Sequence, residues 1–140
     1  MKTWLLDTGP IVAYLDAADP GHAEVVQCLE SFTGQLATTG AVITEAMHFL
    51  SAAKEGPGLL AELVELSRVE VYDLCRPPEL REAARLMEKY ADTPMDFADA
   101  TLVLLAEALG VHDVLTLDRR GFSTYRTRRR RALRLVLDAV

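Results

Sequence analysis

Short apolar runs alternate with longer amphipathic ones along the chain, and this alternation restricts the fold more than any other feature of the sequence. Residues 3–6 form an apolar run that stops at Asp7-Thr8-Gly9-Pro10, where Gly-Pro marks a turn and the proline is well placed to begin a helix. Helical spacing follows over 10–15 and over 22–32, the second stretch carrying Val25, Val26, Leu29 and Phe32 on one face. Residues 36–38 suit a second short strand. Val42, Ile43, Ala46, Met47, Phe49, Leu50 and Ala53 then mark an amphipathic helix over 41–53, which Gly56-Pro57-Gly58 is expected to end. A helix over 59–66, a strand over 69–74 and a helix over 77–90 come next. Residues 97–109 are helical and nearly all apolar, with Gly110 as their cap. A strand over 113–117 then delivers Asp118 at its end, and a last strand covers 132–137. Strands separated by helices of this length predict an α/β three-layer sandwich, with a central parallel sheet of four or five strands covered on both faces.

With 140 residues, half of them apolar, the chain is long enough to enclose a core without disulfides, and one domain over 1–140 is expected. Cys28 and Cys75 lie far apart with no C-x-x-C pairing, which excludes a zinc ribbon or a redox pair. No apolar run approaches the ~20 residues needed to span a bilayer, and the stretch before Asp7 is too brief for a secretory signal core. The expectation is a cytoplasmic protein that makes no use of a membrane. Charge is divided unevenly: through Asp118 there are 20 acids against 7 Lys and Arg, and from Arg119 onward 1 acid against 8 Arg.

The acids carry the chemistry. In open parallel sheets ligands gather outside the carboxyl ends of the strands, and Asp7 and Asp118 are both expected at such ends, where a helix cap or turn residue is the competing role. Asp96 and Asp99, three apart at the start of an apolar helix, share a face. Asp96 suits an N-cap, whereas Asp99 sits inside a helix that must pack on the sheet, and a carboxylate there needs a partner. Glu45 lies at the edge of a buried stripe with no Lys or Arg on its helix before Lys54, although an exposed glutamate fits the same pattern. Three or four carboxylates in one place repel one another unless cations occupy the site. Oxygen-only ligands suit hard Mg²⁺ or Mn²⁺ rather than zinc, and phosphoryl transfer is the chemistry implied.

The Leu-Leu-Asp-Thr opening, Glu45 in a mid-chain helix, the Pro94-Met95-Asp96-Phe97-Ala98-Asp99-Ala100 stretch and Leu115-Thr116-Leu117-Asp118 before Phe122 together resemble a PIN domain. The resemblance spans nearly the whole chain and is similar to the VapC-type toxins of bacterial toxin and antitoxin pairs. It implies a magnesium- or manganese-dependent endoribonuclease whose catalytic acids are Asp7, Glu45, Asp99 and Asp118. The metal would be held by Asp7, Asp99 and Asp118 with Asp96 as an added ligand, and Thr8 and Thr116 would give hydrogen-bonding support. A cognate antitoxin protein and a homodimer are the partners it implies.

Arg119, Arg120, Arg126, Arg128 and Arg129 follow the last acid, where they are expected to hold RNA phosphates; an antitoxin's acidic groups are an alternative anion, and a solvated, charge-protected edge is the plain alternative. Other functions fit poorly. A receiver-type module needs a late lysine, and none follows Lys89; a haloacid-dehalogenase-like phosphatase needs an aspartate two residues after Asp7, where Gly9 stands; a P-loop motif is absent. The remaining alternative is a catalytically inactive PIN-like scaffold that binds RNA or protein, which metal-dependent turnover would distinguish.

Overall fold

Leu5 and Leu6 are almost wholly buried, and the strand that carries them, β1 (Thr3–Leu6), stands at the centre of a five-stranded sheet. The computed structural model describes residues 1–138. After β1 come α1 (Thr8–Leu15), α2 (His22–Glu30), β2 (Gln35–Thr39), α3 (Gly40–Leu50), α4 (Gly56–Leu66) and β3 (Glu70–Tyr72). The chain continues through α5 (Pro77–Lys89), α6 (Phe97–Leu109), β4 (Asp113–Leu115), α7 (Arg119–Thr124), β5 (Arg134–Leu135) and a closing 3-10 turn at Val136–Asp138. The strand order is β3-β2-β1-β4-β5 and every pairing is parallel, with Leu5 level with Ala37 on one side and Val114 on the other. This is the expected α/β sandwich, with five strands.

Parallel neighbours need right-handed crossovers. From β1 to β3 the chain steps toward one edge, and from β3 to β5 it steps back toward the other. Crossovers of constant hand therefore put α1 to α4 on one face and α5 to α7 on the opposite one. Contacts agree: α1 packs on α2, α3 and α4, while α5 packs on α6. Helix α6 is the most deeply buried, with Ala100, Leu102, Val103, Leu105 and Ala106 all in the core, which explains its apolar sequence on nearly every side. Gly110 closes it in the left-handed conformation, φ 67°, as expected of a glycine cap.

Three local expectations are corrected. Helix α3 ends at Leu50 rather than running to the Gly-Pro-Gly stretch, which instead opens α4 with Pro57 in its first turn. The cause is a close approach: a β-carbon on Gly56 would lie 2.1 Å from the carbonyl oxygen of Leu50, so glycine lets the start of α4 pass against the end of α3. Second, residues 119–124, for which the sequence pattern predicts no element, form α7. Third, the last strand is only Arg134–Leu135, because the chain turns into the 3-10 segment where Val136 and Leu137 are buried.

Candidate active site

Strands β1 and β4 are neighbours, but their connections leave toward opposite edges of the sheet, so the segments after them part and leave a crevice at their carboxyl ends. Asp7, the first residue after β1, lies at the base of this crevice with 6% of its surface exposed. The buried Thr116, just past β4, donates from Oγ1 to Asp7 Oδ2 at 2.7 Å and accepts from the Asp118 amide at 3.0 Å. One hydroxyl thus joins two strand ends more than a hundred residues apart in sequence and fixes the carboxylate between them. Asp118 caps α7, its Oδ1 accepting from the Gly121 amide at 3.0 Å.

The N-terminus of α6 supplies two more acids in a reciprocal cap. Asp96 Oδ1 accepts from the Asp99 amide at 2.8 Å, and Asp99 Oδ2 accepts from the Asp96 amide at 3.1 Å. Glu45, half-buried on α3, faces the same region, and its titration is shifted by Thr8, Asp96 and Asp7. The two acid-bearing helices share an anchor that the sequence reading missed. Thr39, at the end of β2, caps α3 by accepting from the Val42 amide and shares a 2.8 Å hydrogen bond with Thr101 of α6, whose hydroxyl also reaches the Ala98 carbonyl. Thr38 donates to the Leu6 carbonyl one residue before Asp7. The two threonines that close the apolar run of β2 were the available signal, but the Thr39–Thr101 pair joins residues 62 apart, which no local pattern reveals.

The electrostatics follow from burying like charges together. Burial, opposed by the Thr116 hydroxyl and reinforced by Asp96 and Asp118, raises the Asp7 carboxyl to about 6. Burial and the charges of Asp7 and Asp96 raise Asp99 to about 8. Burial comes first for Glu45 as well, with Asp96 and Asp7 adding to the upward shift. The neighbouring charges that raise all three carboxyls are those of other acids. Thr8 Oγ1 is buried without a hydrogen-bond partner, although it lies close enough to Glu45 to moderate its shift. An all-oxygen donor set, unbalanced negative charge and an unpartnered hydroxyl are what a hard divalent cation would complete. Among the described residues no three such groups already surround one point, since Asp96 and Asp118 are turned to cap the helices that follow them.

The arginines are mostly engaged with the protein. Arg119 pairs with Glu24 and Asp138, and Arg128 with Glu107 and, at longer range, Glu82. The Arg126 guanidinium donates to the carbonyls of Ser123, Thr124 and Tyr125. Arg120 and Arg129 are exposed and have no ion pair among the described residues.

Gly121 holds the least replaceable backbone position near the acids. A β-carbon there would stand 2.3 Å from Asp118 Oδ2 and 2.9 Å from the Tyr125 hydroxyl, which itself donates to the Pro94 carbonyl on the segment leading to Asp96. Gly121→Ala is expected to displace Asp118 while melting remains cooperative, and any reaction that depends on this carboxylate should slow about a hundredfold, the cost typical of an ångström-scale misplacement. A folded variant with unchanged activity would show that Asp118 has no part in that reaction.

A doubly wound parallel sheet with acids gathered at its switch point matches the PIN domain model over residues 4–127, and the chain belongs to the PIN-domain family. Its sequence is 37% identical over 126 residues to Ribonuclease VapC26 of Mycobacterium tuberculosis, covering 87% of this chain and 91% of that protein. Among solved structures it superimposes on the sarcin-ricin-loop-cleaving toxin VapC20 of Mycobacterium tuberculosis with a TM-score of 0.74 at 19% identity, over 82% of this chain and 89% of that one. It also matches VapBC2 of Rickettsia felis, bound to a DNA fragment from its promoter, with a TM-score of 0.59 at 18% identity, over 95% of this chain and 96% of that one. These structural likenesses bear on the fold.

Proposed function

We propose that this chain is a divalent-metal-dependent endoribonuclease that hydrolyses RNA phosphodiester bonds as the toxin of a toxin–antitoxin pair. The observation that carries the reading is the set of Asp7, Glu45, Asp96, Asp99 and Asp118 at the β1–β4 switch point, with Asp7 and Asp99 held above the ordinary carboxylate range by burial and by the negative charges of their neighbours. Asp7, Asp99 and Asp118 would hold Mg²⁺ or Mn²⁺, with Asp96 available as a further ligand through its second oxygen. When bound, the cation lowers the proton affinity of water and offsets charge on the phosphate. Thr116 fixes the orientation of the Asp7 carboxylate. Glu45, half-buried beside Thr8, would accept a proton from the attacking water or orient it. Exposed Arg120 and Arg129 would meet RNA phosphates, with Arg119, Arg126 and Arg128 joining only if their internal partners release them.

The 37% relative named as a ribonuclease supports the activity, and the VapBC2 structure, with its promoter DNA, supports an antitoxin partner. Exposed Phe49 on α3 and Leu66 on α4 give a homodimer apolar surface to bury. No described helix is long and apolar enough to cross a membrane, and a cytoplasmic location belongs to the same proposal. The test is incubation of the purified protein with mixed cellular RNA and Mg²⁺ or Mn²⁺. Discrete cuts that EDTA abolishes are expected, whereas intact RNA under every metal would favour the non-catalytic scaffold.

A further inference from the structure

An open groove of about 730 Å³ runs from the acid cluster across the carboxyl ends of β2 and β3, between α3 and the start of α6. Glu45 and Asp96 line it, so whatever occupies it is contiguous with a molecule bound at the acids. Its other walls include Ala41 and Phe97, which offer apolar surface, and His48 and Asp73, which offer hydrogen-bonding groups. The volume falls in the range of small-molecule sites, roughly 300–1,000 Å³.

Charge decides what fits. Three carboxylates line the groove and no lysine or arginine does, so a phosphodiester backbone is repelled from it. A flat, uncharged group attached to that backbone is not. We infer that this groove is a nucleobase subsite, which takes an unpaired base adjacent to the scissile phosphate and prefers bases that carry an amino group. The inference rests on the ribonuclease reading of the neighbouring acids. An aromatic ring beside a small alanine is a stacking surface that every base can use, whereas the Asp73 carboxylate is an acceptor and matches the amino donors of guanine, adenine and cytosine. Uracil has no amino group. Asp73 can serve because it directly follows β3, lies outside the set assigned to the cation and is exposed, with the Cys75 thiol of the same groove beside it. Asp73 and Phe97 thus become specificity-determining residues, one for the base edge and one for its face.

The experiment is titration of the full chain, with Mg²⁺ present, by guanosine, adenosine, cytidine and uridine, followed through the His48 ring signals in NMR spectra. The amino-bearing nucleosides are expected to shift those signals at concentrations about tenfold lower than uridine does, the scale of one hydrogen bond to a charged group. Asp73→Asn should remove that difference, and Phe97→Leu should weaken all four nucleosides about fivefold or more, as loss of base stacking does. In parallel, sequencing the ends produced from random-sequence RNA should show uracil depleted at one position beside the cut, with the depletion lost in Asp73→Asn. Equal response to uridine, or no response of His48 to any nucleoside while metal-dependent cutting persists, overturns the subsite and leaves the nuclease standing. Selective nucleoside binding without any RNA cutting does the reverse.

Discussion

Replacing Asp7 with asparagine is expected to lower RNA cleavage by about a thousandfold or more while making the metal-free protein more stable. Both effects have one cause. Asp7 is buried among acids, so its ionised form is costly in the folded state, and that cost appears as a carboxyl raised to about 6. A carboxyl raised that far costs about 3 kcal/mol in its ionised form, and asparagine avoids most of this at neutral pH. The Thr116 hydroxyl can still donate to the amide oxygen, so the local geometry has a partner. What asparagine cannot supply is a negative charge for a divalent cation. Single-turnover cleavage and thermal melting together make the check. A variant that is both inactive and less stable would show that Asp7 serves the core, and one that remains fully active would exclude it from catalysis.

Addition of Mn²⁺ is expected to raise the melting temperature by several degrees at pH 7.5 and by much less at pH 5.5. The folded-state carboxyls of Asp7 and Asp99 lie at about 6 and about 8, against about 4 in an unfolded chain. Below pH 4 both states hold the protons and the shifts cost nothing. Above it the unfolded chain releases them while the folded chain retains them, so stability contributed by these groups falls with rising pH until each ionises in the folded state as well. The loss extends to about pH 6 for Asp7 and about pH 8 for Asp99, and because the acids interact they titrate as a set. A bound cation has most repulsion to relieve at the upper end of this window, where it also competes with fewer protons. Melting with and without Mn²⁺ across this range, with Asp99→Asn alongside, tests the claim. A metal effect independent of pH, or one that Asp99→Asn retains in full, would place the cation elsewhere.

Much of this architecture is legible in the sequence because its signals are local. Leu5 and Leu6 before Asp7, and Val114 and Leu115 before Thr116, read as strands because both faces are buried and the runs are apolar. Asp7, Asp96 and Asp99 stand out for the same reason, as acids set against apolar neighbours. What escaped the sequence depends on contacts between distant segments. Helix α3 stops at Leu50 and Gly56 passes against the Leu50 carbonyl to open α4, so a breaker that reads as an end is in fact a beginning. Helix α7 is only six residues long, opens with two arginines, and owes its start to the Asp118 cap. Arg119 reads as a free basic residue until Glu24, 95 positions away, is found beside it.

The strand order also governs when such a protein can act. Asp7 enters the sheet on the first strand, but the edge of β1 that carries the Thr116 contact stays open until β4 docks, after every helix through α6 has been made. A chain still emerging from the ribosome therefore holds Asp7 and Glu45 without Asp118 or the hydroxyl that orients Asp7. Late pairing of this kind is kinetically slow and leaves apolar strand surface waiting. The acid cluster is therefore assembled only once β4 has docked against β1, and Asp7 lacks its orienting hydroxyl until then.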